Sequence, residues 1–399
     1  MAKYTLNKKD NGKELSGTNQ ADRATITKGE LIYFYGNGGD DTITVNSGNT
    51  NHVYGGDGKD TIEIKGGSGN VANGYGYSDG GSKDGSNTMI ISGGRSNVLY
   101  GGPKKDYLSI TGKGSVQQIH GGGGNDEITV DATSTSNYVY GEAGNDKIEI
   151  IKSGKDLYIS GGAGQDTITV RGTASWNIFG STSSNETGDK KDIIKVYSGK
   201  GYISGGAGND EILLGKGVKN VISAYGNDGN DKITVSYGSN HKITGGKGQD
   251  TININKGTGH TINADSNDVI SLKKGTGASV INIENGNSVK QKGKVTLNSG
   301  SKAKLILDNN SNKYASKLTI SAAKGTVTDK TLYFTGQYQT ADTVNYTFKQ
   351  SGSTLVINNS IYIENFANGN YDNGFVFSSG SYYSSSMTFE EIKKEAKWK

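Results

Sequence analysis

Along much of the chain, apolar residues recur as short alternating pairs set just after an aspartate. Ile43 and Val45, Ile62 and Ile64, Ile128 and Val130, Ile148 and Ile150, and Ile168 and Val170 are such pairs. A period of two predicts strands with one buried face. A polar turn follows (NSGNT, DATSTS, RGTAS). A second short strand then offers one apolar position before a glycine-rich turn: Val53, Leu99, Ile119, Val139, Ile159, Ile203 or Ile243. One period thus holds two strands and two turns.

The glycine-rich turns align in register as YGNGGDDTITV, YGGDGKDTIEI, HGGGGNDEITV, YGEAGNDKIEI, SGGAGQDTITV, SGGAGNDEILL, YGNDGNDKITV and TGGKGQDTINI. Their aspartates are Asp41, Asp60, Asp126, Asp146, Asp166, Asp210, Asp231 and Asp250, and Asp106 follows a degenerate turn. The commonest spacings are 19 or 20 residues; Asp22 and Asp268 extend the series at either end. Two wider gaps, around 73–86 and 180–191, predict loop insertions, after which Asn87 and Asp192 resume the pattern.

Stacked coils would place like residues about 4.8 Å apart. One coil has too small a core to stand alone and depends on its neighbours. The expected fold is therefore all-β, a parallel β-solenoid or β-roll over 21–280. An N-terminal segment, 1–20, precedes it. Beyond 280 the glycine turns stop, aromatics become dense, and alternation persists in KVTLNS, AKLILDN and STLVINNSIYIENF. Residues 281–399 are expected to be a β-rich capping region ending in a short helix, MTFEEIKKEAKWK, because an open solenoid end templates aggregation.

Composition narrows the class. Of 399 residues, 31% are hydrophobic, 63 are glycine and one is proline, Pro103. A collagen needs glycine at every third position and abundant proline, and disorder would lack the regular Ile and Val. There is no cysteine, so disulfides and thiolate metal sites are excluded. The net charge is +4, with 43 basic residues interspersed among 39 acidic ones, which does not suggest nucleic acid. No apolar run is long enough for a membrane span, and the opening MAKYTLNKKDNGKELSG has no signal-peptide core.

A column of carboxylates about 4.8 Å apart repels by about 1 kcal/mol per pair even in water. A hard divalent cation between turns would offset that. Calcium takes six to eight oxygens at about 2.3–2.6 Å; glycines can aim carbonyls inward, and magnesium's octahedral demand suits such a cage less well.

The turns resemble the GGxGxDxUx nonapeptide of RTX (haemolysin-type) proteins, best at Gly121–Val130, Gly161–Val170, Gly205–Leu214 and Gly245–Ile254. The resemblance implies a calcium-binding β-roll, calcium-coupled folding and type I export to the extracellular space without an N-terminal signal; Ser360–Phe366 resembles the segment flanking the array in that family, which implies an uncleaved export signal within 281–399. It carries metal binding to the nine aspartates from Asp41 to Asp250 named above and to Gly56, Gly58, Gly122, Gly124, Gly144, Gly162, Gly164, Gly206, Gly208, Gly229, Gly246 and Gly248. The chain departs from the family in having one glycine–aspartate turn per coil, a slightly basic charge, and lysines within turns (Lys59, Lys104, Lys105, Lys247). Asp22, Asn87, Asp192 and Asp268 are the weakest candidates.

Other residues carry blander readings. Tyr35, Tyr54, Tyr100 and Tyr140 are expected to stack on each other rather than on sugars. Asn51, Asn97, Asn137, Asn177 and Asn220 are expected to form an amide ladder or turn bonds. His52, His120, His241 and His260 are scattered, with His120 in a tyrosine slot, and no HExxH helix accompanies them. No catalytic pair stands out among recurring aspartates. The expected role is a calcium-dependent surface, matrix or adhesin-like module, with several calcium ions and a glycan or cell surface as partners. A polysaccharide-modifying enzyme or its carbohydrate-binding repeat module is the alternative; an ice-binding module is disfavoured because Thr42–Thr44 and Thr167–Thr169 do not recur as a flat array.

Overall fold

A computed structural model describes residues 1–76, 83–172, 175–181, 190–218, 221–273, 276 and 279–284, and strand residues between Lys292 and Met387. The chain divides into two compact units, Met1–Ala207 and Gly208–Lys399. Both are parallel β-solenoids.

In the first unit, the strand after each aspartate joins one sheet. Thr42–Val45 pairs in parallel with Thr61–Ile64, which pairs with Thr88–Arg95, and the series continues through Tyr107–Ser115, Glu127–Asp131, Lys147–Lys152, Thr167–Val170 and Ile193–Val196. The register sets Ile43 beside Ile62, Ile62 beside Met89, Met89 beside Leu108 and Leu108 beside Ile128. The second sheet runs from Tyr33–Tyr35 through His52–Tyr54, Val71–Asn73, Val98–Gly102 and Gln118–Gly123 to Lys200–Ala207. Its inward column is Phe34, Val53, Ala72, Leu99, Ile119, Val139, Ile159, Ile178 and Ile203, all fully buried. Burial of each such aliphatic side chain contributes about 1.5–3 kcal/mol, and only neighbouring coils provide it.

The segment 1–20 supplies a first strand to each sheet, Lys3–Asn7 beside Arg23–Glu30 and Glu14–Ser16 beside Tyr33–Tyr35. Both expected insertions leave the stack intact. Ile62 still meets Met89 and Thr167 still meets Ile193 in register.

The second unit repeats the plan. Glu211–Leu214, Lys232–Val235, Thr251–Ile254 and Val269–Leu272 form one sheet, and Ile222–Asp228, Lys242–Lys247, Thr261–Asp265 and Ser279–Glu284 form the other. Parallel pairing continues after the glycine turns end. Val269–Leu272 pairs with Lys292–Leu297, which pairs with Lys317–Ala322, while Ser279–Glu284 pairs with Ala303–Asp308 and that with Leu332–Gly336. Antiparallel pairs then appear: Phe348–Ser351 with Thr354–Ile357, Thr354–Ile357 with Ile361–Ile363, and Phe375–Ser379 with Tyr383–Met387. The expected terminal helix begins at Met387, a strand residue, and otherwise lies outside the described residues.

Candidate metal-binding edge

The glycine turns owe their course to left-handed backbone. Gly56, Gly58, Gly122, Gly124, Gly144, Gly162, Gly164, Gly206, Gly208, Gly229, Gly246 and Gly248 all have positive φ, from +100° at Gly122 to +146° at Gly144. Glycine enters this region without the penalty an L side chain meets. Where the sequence substitutes that slot, the conformation persists: Asn37, Glu142 and Asn227 have φ of +72°, +74° and +80°. A second requirement concerns the first glycine of the turn. A Cβ on Gly36, Gly55, Gly101, Gly121, Gly141 or Gly226 would strike the turn's own aspartate Oδ2 and the carbonyl oxygen of the equivalent glycine one coil on. Carboxylate and carbonyl oxygens therefore converge beside each of these glycines.

The aspartates form a buried column in each unit, with one oxygen assigned. The backbone N–H of Asp41 donates to Asp60 Oδ1 at 2.7 Å, that of Asp106 to Asp126 Oδ1 at 2.8 Å, and those of Asp126 and Asp146 to Asp146 and Asp166 Oδ1, each at 2.7 Å. Asp166 donates likewise to Asp192 Oδ1 at 2.7 Å. In the second unit Asp210, Asp231 and Asp250 donate to Asp231, Asp250 and Asp268 at 2.7, 2.8 and 2.8 Å. The other oxygen is different. Oδ2 of Asp41, Asp60, Asp106, Asp126, Asp146, Asp231 and Asp250 is buried without a hydrogen-bond partner.

Such burial disfavours the charged form. It pushes Asp60, Asp126 and Asp250 up to about 8, Asp106 up to about 7, and Asp41, Asp146 and Asp231 up to about 6. Neighbouring carboxylates add to the rise, as Asp41 does at Asp60 and Asp146 does at Asp126. Oδ2 finds donors at the start of the first unit's column, Asp22, and at the end of the second unit's, Asp268. Thr18 gives Asp22 Oδ2 its N–H at 2.7 Å and its hydroxyl at 2.8 Å, and these hold the Asp22 carboxyl below the usual range, the Thr18 N–H being the largest cause. Asp268 Oδ2 accepts the Asp265 N–H at 2.8 Å, although burial still raises its carboxyl to about 7.

This donor set fits calcium. Each orphaned oxygen is anionic when ionised and sits in a row of like groups, and those of Asp41, Asp60, Asp106, Asp126, Asp146 and Asp231 share the space beside a turn glycine with a carbonyl oxygen. Among the described residues, no three His, Cys, Asp or Glu side chains converge on one point. A cation here would take most of its ligands from turn carbonyls, with single carboxylates contributing charge; that matches calcium's tolerance of mixed oxygen ligands. Two of the turn lysines pair with other carboxylates: Lys105 Nζ meets Glu127 at 2.7 Å and Lys247 Nζ meets Asp228 at 3.0 Å; the Lys104 charge instead acts on Asp84.

A further ladder on this edge was not among the sequence expectations. The residue before the aspartate accepts a backbone N–H from the next coil: Asp40 from Lys59 at 2.9 Å, Asn125 from Asn145 at 2.8 Å, Asn145 from Gln165 at 2.8 Å, and Asn230 from Gln249 at 2.7 Å. The recurring GND triplet is its signal.

The opposite edge is held by amides. The N–H of Asn51 donates to Asn70 Oδ1 at 3.0 Å, Asn70 to Asn97 at 2.9 Å, Asn97 to Gln117 Oε1 at 3.0 Å, and Gln117 to Asn137 at 3.2 Å. Asn177 does not belong to this ladder. It is exposed on strand Ser175–Phe179, in register with Tyr158 and Tyr202, because that strand carries Trp176 and Ile178 inward. Asn220 lies outside the described residues. In the second unit the histidines, expected to be isolated, fill the ladder slot: Ile222 N–H donates to His241 Nδ1 at 3.2 Å and His241 N–H to His260 Nδ1 at 3.4 Å. Both rings are buried, with centroids 5.2 Å apart.

The outer aromatics stack on one another. Tyr35 lies over Tyr54 at 5.0 Å, and His120 lies between Tyr100 and Tyr140 at 4.6 and 4.8 Å, with Nδ1 2.8 Å from Glu142. The middles of the two insertions, 77–82 and 182–189, lie outside the described residues.

Four stretches, residues 35–70, 120–149, 187–218 and 225–258, match the RTX calcium-binding nonapeptide repeat. No curated protein and no solved structure matches the chain. Asp106 and Asp166 fall between the matched stretches yet occupy the same column with the same hydrogen bonds.

Proposed function

From its RTX calcium-binding repeats we propose that this chain is an extracellular calcium-binding scaffold whose β-roll is completed by the ion. The observation that carries the reading is the row of buried, unpartnered Oδ2 atoms. Without a cation, each must hold a proton or bear an uncompensated buried charge, and the latter is strongly unfavourable. With calcium, the same atoms become ligands and the binding energy becomes folding energy. The proposed ligands are the motif aspartates from Asp41 to Asp250 and the carbonyls of their glycine turns. Extracellular modules bind calcium at about 10⁻⁴–10⁻³ M, so the roll would stay loose in a calcium-poor cytosol and set once outside, as type I export requires.

Circular dichroism in EDTA, with calcium then titrated back, tests this. The expected result is a gain of β-structure accompanied by uptake of several ions in calorimetry. An unchanged spectrum with no uptake would leave a metal-free solenoid.

A surface, matrix or adhesin-like role is favoured over a sugar-stacking platform by the aromatic column. Tyr100, His120 and Tyr140 spend their ring faces on each other, and sugar stacking needs free faces. Fractionation of cells expressing the chain, with and without a type I exporter, tests the location.

A further inference from the structure

The aspartate column of the first unit is interrupted by an amide at Asn87. The interruption leaves the ladder whole. Asp60 N–H donates to Asn87 Oδ1 at 2.8 Å, and Asn87 N–H donates to Asp106 Oδ1 at 2.6 Å. What changes is the second atom. A Cβ on Gly74 would meet Asn87 Nδ2 and the Gly101 carbonyl, where a Cβ on Gly55 meets Asp60 Oδ2 and the Gly74 carbonyl. An amide nitrogen thus occupies the place of the unpartnered carboxylate oxygen, and it can only donate.

That nitrogen donates to Asp84 Oδ1 at 3.1 Å and, at a longer 3.4 Å, to the Gly101 carbonyl. Asp84 lies at the end of the insertion, three residues before Asn87 as Asp57 stands before Asp60, and it is only 6% exposed. Its backbone is fixed to the preceding coil: Asp84 bridges Gly58 in parallel, and the Gly85 N–H donates to the Gly58 carbonyl at 2.7 Å. Its Oδ2 is buried with no hydrogen-bond partner and faces the next coil, 2.5 Å from where a Cβ on Gly102 would lie. Gly102 has φ +139°, so glycine is required there twice over. The Asp84 charge also acts on both flanking column members, Asp60 and Asp106, raising each. Burial is the main cause that pushes Asp84 itself up to about 6.

We propose that Asp84 is a calcium ligand outside the repeat motif, supplying through Oδ2 the anionic oxygen that Asn87 withholds, so that the coil at 74–87 holds an ion. Asn87 then acts as the positioning residue: its amide holds Oδ1 of Asp84 while its own Oδ1 keeps the ladder. This rests on the calcium reading above, and it adds a site where the motif offers none.

Native mass spectrometry of the full chain, with calcium titrated in, counts bound ions directly. Asp84→Asn preserves shape and removes the charge, and it should bind one ion fewer at saturation. Asp84→Asn combined with Asn87→Asp moves the carboxylate to the motif position and should restore the count. Far-ultraviolet circular dichroism on the same samples checks that each variant remains folded. An Asp84→Asn chain that is folded and binds as many ions as the wild type overturns the proposal alone. A wild-type chain that binds no calcium overturns both this proposal and the reading it rests on.

Discussion

The backbone N–H of Asp126 donates to Oδ1 of Asp146 across 2.7 Å, while Oδ2 of that carboxylate is buried without a partner. One side chain thus serves two purposes through two oxygens: one ties adjacent coils together, and the other is reserved for a counter-charge. The two can be separated by substitution.

Asp146→Asn keeps an acceptor at Oδ1 and discards the charge, as Asn87 does naturally. In EDTA it should be at least as stable as the wild type, because a buried ionisable group has gone. Its calcium affinity at that turn should fall by tenfold or more, on the order of 1.4 kcal/mol. Asp146→Ala should lose about 1–3 kcal/mol in EDTA as well, since the Asp126 N–H is left buried and unpaired. Urea denaturation with and without calcium distinguishes the pair.

The raised carboxyls set a pH dependence for the metal-free chain. An unfolded aspartate titrates near 3.9, whereas Asp60, Asp126 and Asp250 in the folded chain lie at about 8. The folded state binds those protons more tightly, so their contribution favours folding at low pH and is lost progressively between about pH 4 and 8. Calcium competes with the same protons. Its binding should tighten as pH rises through that window and should release protons. Melting temperatures in EDTA across pH, and calorimetry in two buffers of different ionisation enthalpy, read the two effects.

The histidine ladder has the opposite sign. Burial holds His241 below its usual value, and burial with the neighbouring His241 brings His260 down to about 4. A depressed histidine favours folding above its unfolded value of about 6.5, and that stability is lost as pH falls from there toward 4. Protonation also turns each Nδ1 from acceptor to donor, facing an N–H. His260→Asn should restore an amide of the kind found at Asn70 and Asn97. Its melting temperature relative to wild type should therefore be higher at pH 5 than at pH 8.

The course of the strands and the aspartate column are legible in the sequence because both are periodic. Ile43, Ile62 and Ile128 announce a buried face, and the interval from Asp41 to Asp60 announces a coil. The aromatic column is legible for the same reason, since His120 replaces a tyrosine in a fixed slot. The amide edge is legible at Asn51, Asn97 and Asn137, and what escaped lacks a repeating letter. The amide edge accepts Asn70, Gln117 and His241 alike, because the requirement is an acceptor atom at a given reach and not a residue type. Asp84 escaped for another reason: it stands three residues before Asn87 as Asp57 stands before Asp60, a turn position that has no fixed residue type from coil to coil. Asn177 misled because its position after a polar turn looked equivalent, whereas the strand Ser175–Phe179 turns it outward.

Adjacent residues of one turn should respond oppositely to substitution. Gly141 lies against Asp146 Oδ2 and the Gly161 carbonyl, so a methyl group there has nowhere to go. Gly141→Ala should destabilise the chain by about 1–3 kcal/mol, as overpacking does, and should abolish calcium uptake at that turn. Glu142, with φ +74°, is an L residue in left-handed backbone, which costs about 1–2 kcal/mol. Glycine would remove that cost while adding some unfolded-state entropy. The Glu142 carboxylate that pairs with His120 is itself exposed, so removing that pair costs little. Glu142→Gly should therefore be neutral or stabilising by up to about 1 kcal/mol, with calcium uptake retained. Equilibrium denaturation of both variants in calcium and in EDTA checks this. A calcium-binding Gly141→Ala chain would show that the space beside the first glycine is not where the ion's ligands meet.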